Sequence, residues 1–219
     1  MTQPATLAEP GTAKQIVPLL PGLPAASYYS DDLLEETDEL DALYQQRKCY
    51  NREFGFCLFT AECVFTLVAL CKGKKVLEAG SGSGWLANQL AQQEIEITAA
   101  DWTDYRQPRD TKRGYPIQTV FRLDHHGDAV ATLPGSFDVV LLIWPNHGTP
   151  FGERVAHAMR SGQVMILEGE EKGGNTATDE FFDTLSADFE RLDAETQALN
   201  EHHRTFPGLH DRWQVLRKK

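Results

Sequence analysis

The apolar positions of this chain form short blocks with two different periods. Compact apolar or alternating runs at 75–79, 94–100, 139–143 and 164–167 have the length and pattern of strands in a sheet. Between them, apolar residues recur every three or four positions, as on one face of a helix. Strands that alternate with helices predict an α/β protein with a mostly parallel sheet.

The same patterns divide the chain into an extension, a helical segment and a core. Residues 1–29 are rich in Pro, Ala and Thr, which predicts a poorly ordered extension. Residues 30–72 predict N-terminal helices, one capped by Ser30 and one that begins near Thr60. Residues 73–219 predict the core, with further strands at 116–123, 189–199 and 212–218 and a helix at 179–189.

A glycine-rich turn follows the first strand of this core. Gly80, Gly82 and Gly84 stand between an apolar strand and an amphipathic run, where glycine permits positive φ and lets a ligand approach the main chain. The dinucleotide fingerprint requires a small third residue where Trp85 stands, and no phosphate-binding P-loop sequence is present. The turn predicts a nucleotide-like ligand, and an α/β turn that binds nothing is the alternative.

An acidic residue at the end of the second strand supports a ligand at this turn. Asp101 follows the glycines by about 20 residues, where a carboxylate meets ribose hydroxyls in nucleotide-binding α/β folds. Its two oxygens can accept from both hydroxyls of a cis-diol.

Glu78 followed by Gly80-Ser81-Gly82-Ser83-Gly84 resembles motif I of the class I S-adenosylmethionine-dependent methyltransferases. The resemblance implies a Rossmann-like doubly wound sheet of about seven strands, with helices on both faces and an antiparallel last strand. It also implies that the glycine loop passes under the methionine part of S-adenosylmethionine, with Glu78 near the α-amino group. A carboxylate suits this cofactor, which carries an ammonium and a sulfonium but no phosphate.

Two later segments extend this resemblance. Gly127-Asp128-Ala129 resembles the turn that contacts the adenine edge, with Asp128 as acceptor for the amine and Asp124 as the competing choice. The fourth strand ends in Trp144-Pro145-Asn146-His147, which resembles the (D/N)PP(Y/F) motif of amino-group methyltransferases. The resemblance implies that Asn146 helps to hold a substrate.

The remaining candidate site residues are aromatic or titratable. Trp102 and Trp144 could stabilise a cationic donor through their ring faces. His147 and Glu170 are the candidate general bases, ahead of His210 and Asp211, and a packing or surface histidine is the alternative for His147. In methyltransferases of this class the segment before the first strand often covers the cofactor, so Tyr50 is a candidate substrate contact, with Arg52 and Phe56. Packing is the alternative for these three.

The C-terminal half resembles a poorly characterised methyltransferase-like group with "WPPY", "GEGxGGCTxDDxF" and "P-x-W-x-G-I-H-D" segments. The resemblance runs from about Tyr50 to the C-terminus. This chain departs from it at Asn146, His147, Asn175 and Thr178. No assigned activity for that group carries over.

Charge and composition narrow the partners. Asp and Glu outnumber Lys and Arg by 32 to 21, a net charge of −11 that argues against nucleic acid. The chain lacks a run of about 18 apolar residues and a signal-peptide pattern, so we expect no membrane partner and a cytoplasmic protein; the oligomeric state stays open. The predicted function is S-adenosylmethionine-dependent methylation, by in-line transfer, of an N or O nucleophile on a small-molecule acceptor. The alternative functions are those of a non-catalytic cofactor-binding or scaffold protein and of an NAD(P)-dependent oxidoreductase.

Cysteines, histidines and a basic loop add little further chemistry. The four cysteines lack C-x-x-C spacing and are expected to be reduced core residues. Adjacent histidine pairs at 125–126 and 202–203 point to opposite faces of a strand, so we predict no metal site. The loop at 103–115 carries four basic residues that either hold an anionic substrate group or are solvated.

Overall fold

The computed structural model of the protein describes residues 47–48, 50–52, 54–103, 120–133, 135–206 and 208–219. The predicted extension at 1–29, the first predicted helix and the basic residues of the 103–115 loop lie outside the described residues, as does Cys49. Within the described residues, no helix is long and apolar enough to cross a membrane.

One seven-stranded sheet forms the middle layer of the core. Its spatial order is β3-β2-β1-β4-β5-β7-β6, and only β7 runs antiparallel to its neighbours. This topology confirms the predicted doubly wound sheet with an antiparallel last strand. The strands are β1 (Lys75–Ala79), β2 (Glu96–Asp101), β3 (His125–His126), β4 (Val139–Ile143), β5 (Val164–Gly169), β6 (Phe189–Arg191) and β7 (Arg212–Lys218).

Between residues 54 and 219, the described part of the chain contains six helices, which cover the two faces of the sheet. They are α1 (Ala61–Cys71), α2 (Trp85–Gln92), α3 (Ala129–Thr132), α4 (Phe151–Ala158), α5 (Asp179–Asp188) and α6 (Asp193–Glu201). Thr60 caps α1 as predicted, because its hydroxyl accepts from the Cys63 N–H at 3.1 Å. Thr178 caps α5 in the same way through the Phe181 N–H.

Alternate residues of each buried strand face different helix layers. On β1, Val76 packs with α1, α2 and α6 on one face, whereas Leu77 packs with α3, α4 and α5 on the other. Both side chains are fully buried, as expected for a central parallel strand covered on both sides. Helices therefore lie on both faces, as predicted. The three described cysteines, Cys57, Cys63 and Cys71, are free and buried, as predicted.

The structure corrects the third and sixth predicted strands. Within the described residues the third strand is His125–His126, and residues 120–123 of the predicted strand are irregular; residues 116–119 lie outside the described residues. The sixth strand stops at Arg191, and the predicted strand residues 193–199 belong to α6 instead. Thr196 and Leu199 are buried one helical turn apart, so packing on β7 favours the helix.

Candidate functional site

A cavity of about 730 Å³ opens at the carboxyl ends of the parallel strands. Ligands bind at this edge in open α/β sheets, because the loops that leave adjacent strands diverge there. Its described lining comes from residues 54–57, 59, 78–83, 85–86, 101–103, 128–129, 143–147, 149, 151, 154 and 175. A volume of this size suits a nucleoside-sized ligand together with a small second molecule.

The glycine turn forms the floor of the cavity. Gly80 and Ser81 donate their N–H groups to the Ala100 carbonyl of β2 at 2.8 and 3.1 Å, which fixes the turn against the neighbouring strand. The Ser81 hydroxyl is buried and lacks a hydrogen-bond partner among the described residues. An unpartnered buried hydroxyl in a cavity wall is a group that a polar ligand can satisfy.

Gly84 stands apart from the other predicted loop residues. It begins α2 at φ +68° and does not line the cavity. A Cβ at this position would lie 1.8 Å from the Arg122 carbonyl oxygen. Gly84 therefore lies outside the cavity lining, and its contact with the cofactor stays a prediction; glycine is needed here so that another backbone segment can pack on the turn.

Asp101 joins the turn to the end of β2. Its Oδ2 accepts from the Gly82 N–H at 2.9 Å, and its Oδ1 accepts from the Thr103 N–H at 2.7 Å. A carboxylate is an acceptor of hydrogen bonds from hydroxyl groups. The side chain is buried at the cavity wall, which suits the predicted contact with a ribose.

Glu78 lies in the wall under the turn and is almost fully buried. Burial raises the pKa of Glu78 to about 8; the Ala87 N–H, which donates to its Oε2 at 3.1 Å, lowers it and the nearby Asp101 carboxylate raises it. A cationic ligand group beside this carboxyl would favour its ionised form. The predicted place of an α-amino group is therefore electrostatically suitable.

The structure separates the two candidates for the adenine contact. Asp128 caps α3, pairs with Arg154 and lines the cavity together with Ala129. Asp124 instead accepts from the Ala99 N–H at 2.8 Å and from Arg122, and it does not line the cavity. Trp102 lines the cavity and is 72% exposed, so its ring is available to a ligand.

Trp144 lies at the end of β4 in a strained backbone conformation. Its φ of +50° is a left-handed value that costs a bulky residue roughly 1–2 kcal/mol. Its N–H is held by the Glu168 carbonyl at 2.7 Å, and its ring stacks on Phe56 at 6.0 Å between centroids and 16° between planes. Phe56 is 37% exposed. The strand end thus holds an aromatic surface in the cavity wall.

His147 is held by the loop after β5. Its Nδ1 lies 3.0 Å from the Ala177 carbonyl oxygen. A carbonyl can only accept, so Nδ1 carries the proton and Nε2 is the unprotonated nitrogen of the neutral ring. Asn146 lies beside it in the cavity wall and pairs with Thr176 through an isolated β-bridge.

Two predicted residues do not reach the cavity. Glu170 is buried, and its oxygens accept from the Asn175 main chain and side chain and from the His210 N–H, so it orders the loop after β5 and is not placed as a base. Tyr50 is 1% exposed, and its ring packs on Phe54 and Phe206. Neither side chain lines the cavity, so this structure does not support Glu170 as a catalytic base or Tyr50 as a substrate contact.

Sequence reasoning missed a largely buried polar cluster of Glu168, His203 and Asp211. Both oxygens of Glu168 are buried without an N–H or O–H donor among the described residues. Burial, and then the negative charge of Asp211, raise the pKa of Glu168 well above its usual range. Burial raises the pKa of Asp211, but His203 and the Thr205 hydroxyl lower it more, so that it lies below its usual value.

Glu168, His203 and Asp211 also have the residue types of a metal site, with ligand atoms within 4.8 Å of one another. The Trp213 indole N–H, which can only donate, gives a hydrogen bond to His203 Nδ1 at 3.1 Å. Neutral His203 must therefore carry its proton on Nε2, which faces Asp211 at 3.3 Å. A metal ion would need an unprotonated Nε2 as its ligand atom. The hydrogen bonding of His203 therefore fits a proton-sharing cluster.

The chain is similar in structure to solved methyltransferases. TehB from Haemophilus influenzae is 10% identical, with 79% of this chain and 67% of that chain covered and a TM-score of 0.46. A TehB-like S-adenosylmethionine-dependent methyltransferase from Corynebacterium glutamicum is 16% identical, with 84% of this chain and 100% of that chain covered and a TM-score of 0.45. The 1,6-didemethyltoxoflavin-N1-methyltransferase from Burkholderia thailandensis, solved with S-adenosylhomocysteine, is 19% identical, with 98% of this chain and 100% of that chain covered and a TM-score of 0.42.

Neither a family model nor a curated protein matches the chain. At these identities, the structural similarities concern the chain path only. The function is therefore inferred from the site itself.

Proposed function

We propose that this protein is an S-adenosylmethionine-dependent methyltransferase that acts on a small-molecule acceptor through an N or O nucleophile. The observation that carries the proposal is the joint position of Glu78, the Gly80–Gly82 turn and Asp101 around one end of the cavity. When bound, S-adenosylmethionine supplies an electrophilic methyl group on a sulfonium sulfur.

The residues present fit this cofactor in three separate ways. Asp101 presents a carboxylate acceptor at the cavity wall, and the Ser81 hydroxyl has no partner among the described residues. The buried Glu78 carboxyl suits the α-amino group. The wall residues Asp128 and Ala129 at the start of α3, together with Trp102, complete the proposed nucleoside contacts.

The proposed catalysis depends mainly on position. Trp144 and His147 follow β4, the strand next to β1, so they lie beside the glycine turn along the sheet edge. Most of the rate acceleration of such a transfer comes from holding the acceptor and the methyl donor in near-attack geometry, which a rigid strand end can do. We propose that His147 accepts the acceptor's proton through Nε2. The cytoplasmic location and the lack of a nucleic-acid partner stay predictions from charge and composition.

Calorimetric titration with S-adenosylmethionine and S-adenosylhomocysteine tests the proposal. We expect one site with micromolar affinity for each ligand, and a loss of about 30- to 100-fold in Asp101→Ala, because two charge-assisted hydrogen bonds disappear. Asp101→Asn is the matched control: it keeps the side-chain shape and one carbonyl acceptor and should lose less.

Two further ligands separate this proposal from an NAD(P)-dependent oxidoreductase. NAD⁺ and NADP⁺ should not bind, since Trp85 fills the place that the dinucleotide fingerprint keeps small. Lack of binding to both S-adenosyl ligands would overturn the proposed function.

A further inference from the structure

The part of the cavity beyond the proposed cofactor lies over β4 and β5. Asp101 follows β2 and the glycine turn follows β1, so these groups occupy one side of the sheet edge. Next to β1 in the sheet lies β4, and next to β4 lies β5, with about 4.8 Å between neighbouring strands. The loops after β4 and β5, together with the segment before α1, bring together the residues of what we term the acceptor end: Phe56, Trp144, Asn146, His147 and Asn175.

The acceptor end has a flat aromatic surface. Phe56 and Trp144 lie at 16° to each other with 6.0 Å between their ring centroids, which is too close for a third ring between them. They therefore present adjoining ring faces and edges. Phe56 remains 37% exposed beside a tryptophan held at a costly φ, so the surface is not simply buried core.

The polar groups of the acceptor end carry no fixed charge. Asn146 and Asn175 supply neutral amides, and His147 supplies an imidazole. Arg154 is the one lysine or arginine among the described lining residues, and it pairs with Asp128 at the start of α3. The lining carboxylates likewise belong to β1, β2 and the α3 cap. A charged acceptor group would find no counter-ion among the described residues of the acceptor end.

His147 gives the acceptor end one directional hydrogen-bond acceptor. Its Nδ1–H is committed to the Ala177 carbonyl, which fixes both the tautomer and the ring. Nε2 can then accept from an O–H or N–H group. The Ala177 N–H also donates to the Pro145 carbonyl at 2.9 Å, so the two loops are held together.

We propose that the acceptor end takes a neutral, planar aromatic molecule, which lies on the Phe56–Trp144 surface and presents a ring O–H or N–H to His147 Nε2. This inference rests on the proposed function. In the transfer, the proton goes to Nε2 and later to solvent, while the electron pair on the acceptor oxygen or nitrogen forms the bond to the methyl carbon. The C–S electrons remain on the departing sulfur, so atoms and charge balance.

Four probes with one ring system and different substituents test this inference by ligand-observed NMR in saturating S-adenosylhomocysteine. They are 2-naphthol, naphthalene, 2-naphthoate and 2-naphthylmethylammonium. We expect 2-naphthol to bind best and the two charged probes to bind at least about 10-fold more weakly, because their charges lose hydration without a partner. Tighter binding of either charged probe than of 2-naphthol would overturn the inference.

Variants then assign the contacts. Phe56→Ala should weaken 2-naphthol and naphthalene alike by about 5- to 10-fold, whereas Phe137→Ala, which removes a partly buried ring outside the cavity lining, should leave both unchanged. His147→Ala should weaken 2-naphthol by about 5- to 10-fold and leave naphthalene unchanged. Equal losses for both probes in His147→Ala would refute the hydrogen bond.

The preceding titration separates the two proposals. If S-adenosylhomocysteine does not bind, the proposed function fails. If it binds and the charged probes are preferred, the cofactor site stands and the neutral aromatic acceptor is refuted.

Discussion

Gly84→Ala is expected to destabilise the protein by roughly 3 kcal/mol or more and to abolish binding of S-adenosylhomocysteine. The added Cβ would lie 1.8 Å from the Arg122 carbonyl oxygen and 2.7 Å from its carbon. These are backbone atoms and cannot rotate away. Either the segment at Phe121–Arg122 or the glycine turn must move, and the turn carries the Gly82 N–H that Asp101 holds.

Gly73→Ala is the matched control for this substitution. Gly73 has φ +70°, close to the +68° of Gly84, but a Cβ there meets nothing within 4 Å. We expect a cost of about 1 kcal/mol from the backbone conformation alone and unchanged ligand binding. Urea unfolding of both variants gives the comparison. Equal losses would contradict the close packing of the turn.

Asp211→Asn is expected to lower the free energy of unfolding by about 3 kcal/mol at pH 7. The Asp211 carboxylate accepts from the Thr205 hydroxyl, and its Oδ2 lies 3.3 Å from His203 Nε2, which is hydrogen-bonded to the Asp211 main-chain carbonyl at 3.1 Å. An asparagine amide replaces one acceptor by an N–H group, so at least one buried donor loses its partner. The lowered pKa of Asp211 means that its contribution is present above its ordinary pKa of 3.8 and is lost as the pH falls through the folded-state value.

Glu168→Gln is the informative companion, because glutamine is a neutral isostere of the protonated acid. The raised pKa of Glu168 means that the folded state keeps a proton that the unfolded state releases above about pH 4.5. The wild-type free energy of unfolding should therefore fall as the pH rises from there, by at most about 1.4 kcal/mol per pH unit from this group.

We expect Glu168→Gln to fold and to become increasingly more stable than the wild type between pH 5 and pH 8. Urea unfolding of both proteins across this range gives the difference between their free energies of unfolding. The contributions of Glu78 and other titrating groups are common to both proteins and cancel in this difference. A constant difference would show that Glu168 is ionised in the folded protein.

The parts of the fold set by local patterns were predictable from the sequence. Val139–Ile143 is an unbroken apolar run, and the structure makes it the buried central strand β4. The alternation of glycines after β1 placed a tight turn where Gly80 and Gly82 have positive φ. Asp101 could be placed at the edge of the sheet because a buried strand ended there. Such features depend on a few neighbouring residues and on strand topology.

Features that depend on distant contacts were not predictable. The pattern of residues 193–199 resembles a strand, but these residues belong to α6. The Thr196 hydroxyl accepts a hydrogen bond from the Val215 N–H of β7, which holds the helix on the sheet. Glu170 looked like a base because it follows β5. Asn175 of the same loop and His210 of the loop before β7 donate to its two oxygens, and Glu170 does not line the cavity.

The buried cluster shows the same limit more sharply. Glu168 lies in a strand, and nothing in its neighbours along the chain indicates that Asp211 and His203 meet it. A weak signal was present: a carboxyl residue inside an otherwise apolar strand seldom stays buried without a specific partner.

A crystal structure with S-adenosylhomocysteine would show whether one end of the cavity holds S-adenosylmethionine. We expect ribose hydroxyls within hydrogen-bond distance of Asp101, the amino group beside Glu78, and the sulfur facing the end of β4 near Trp144. A ligand bound outside the Gly80–Gly82 turn, or with its ribose away from Asp101, would contradict this placement.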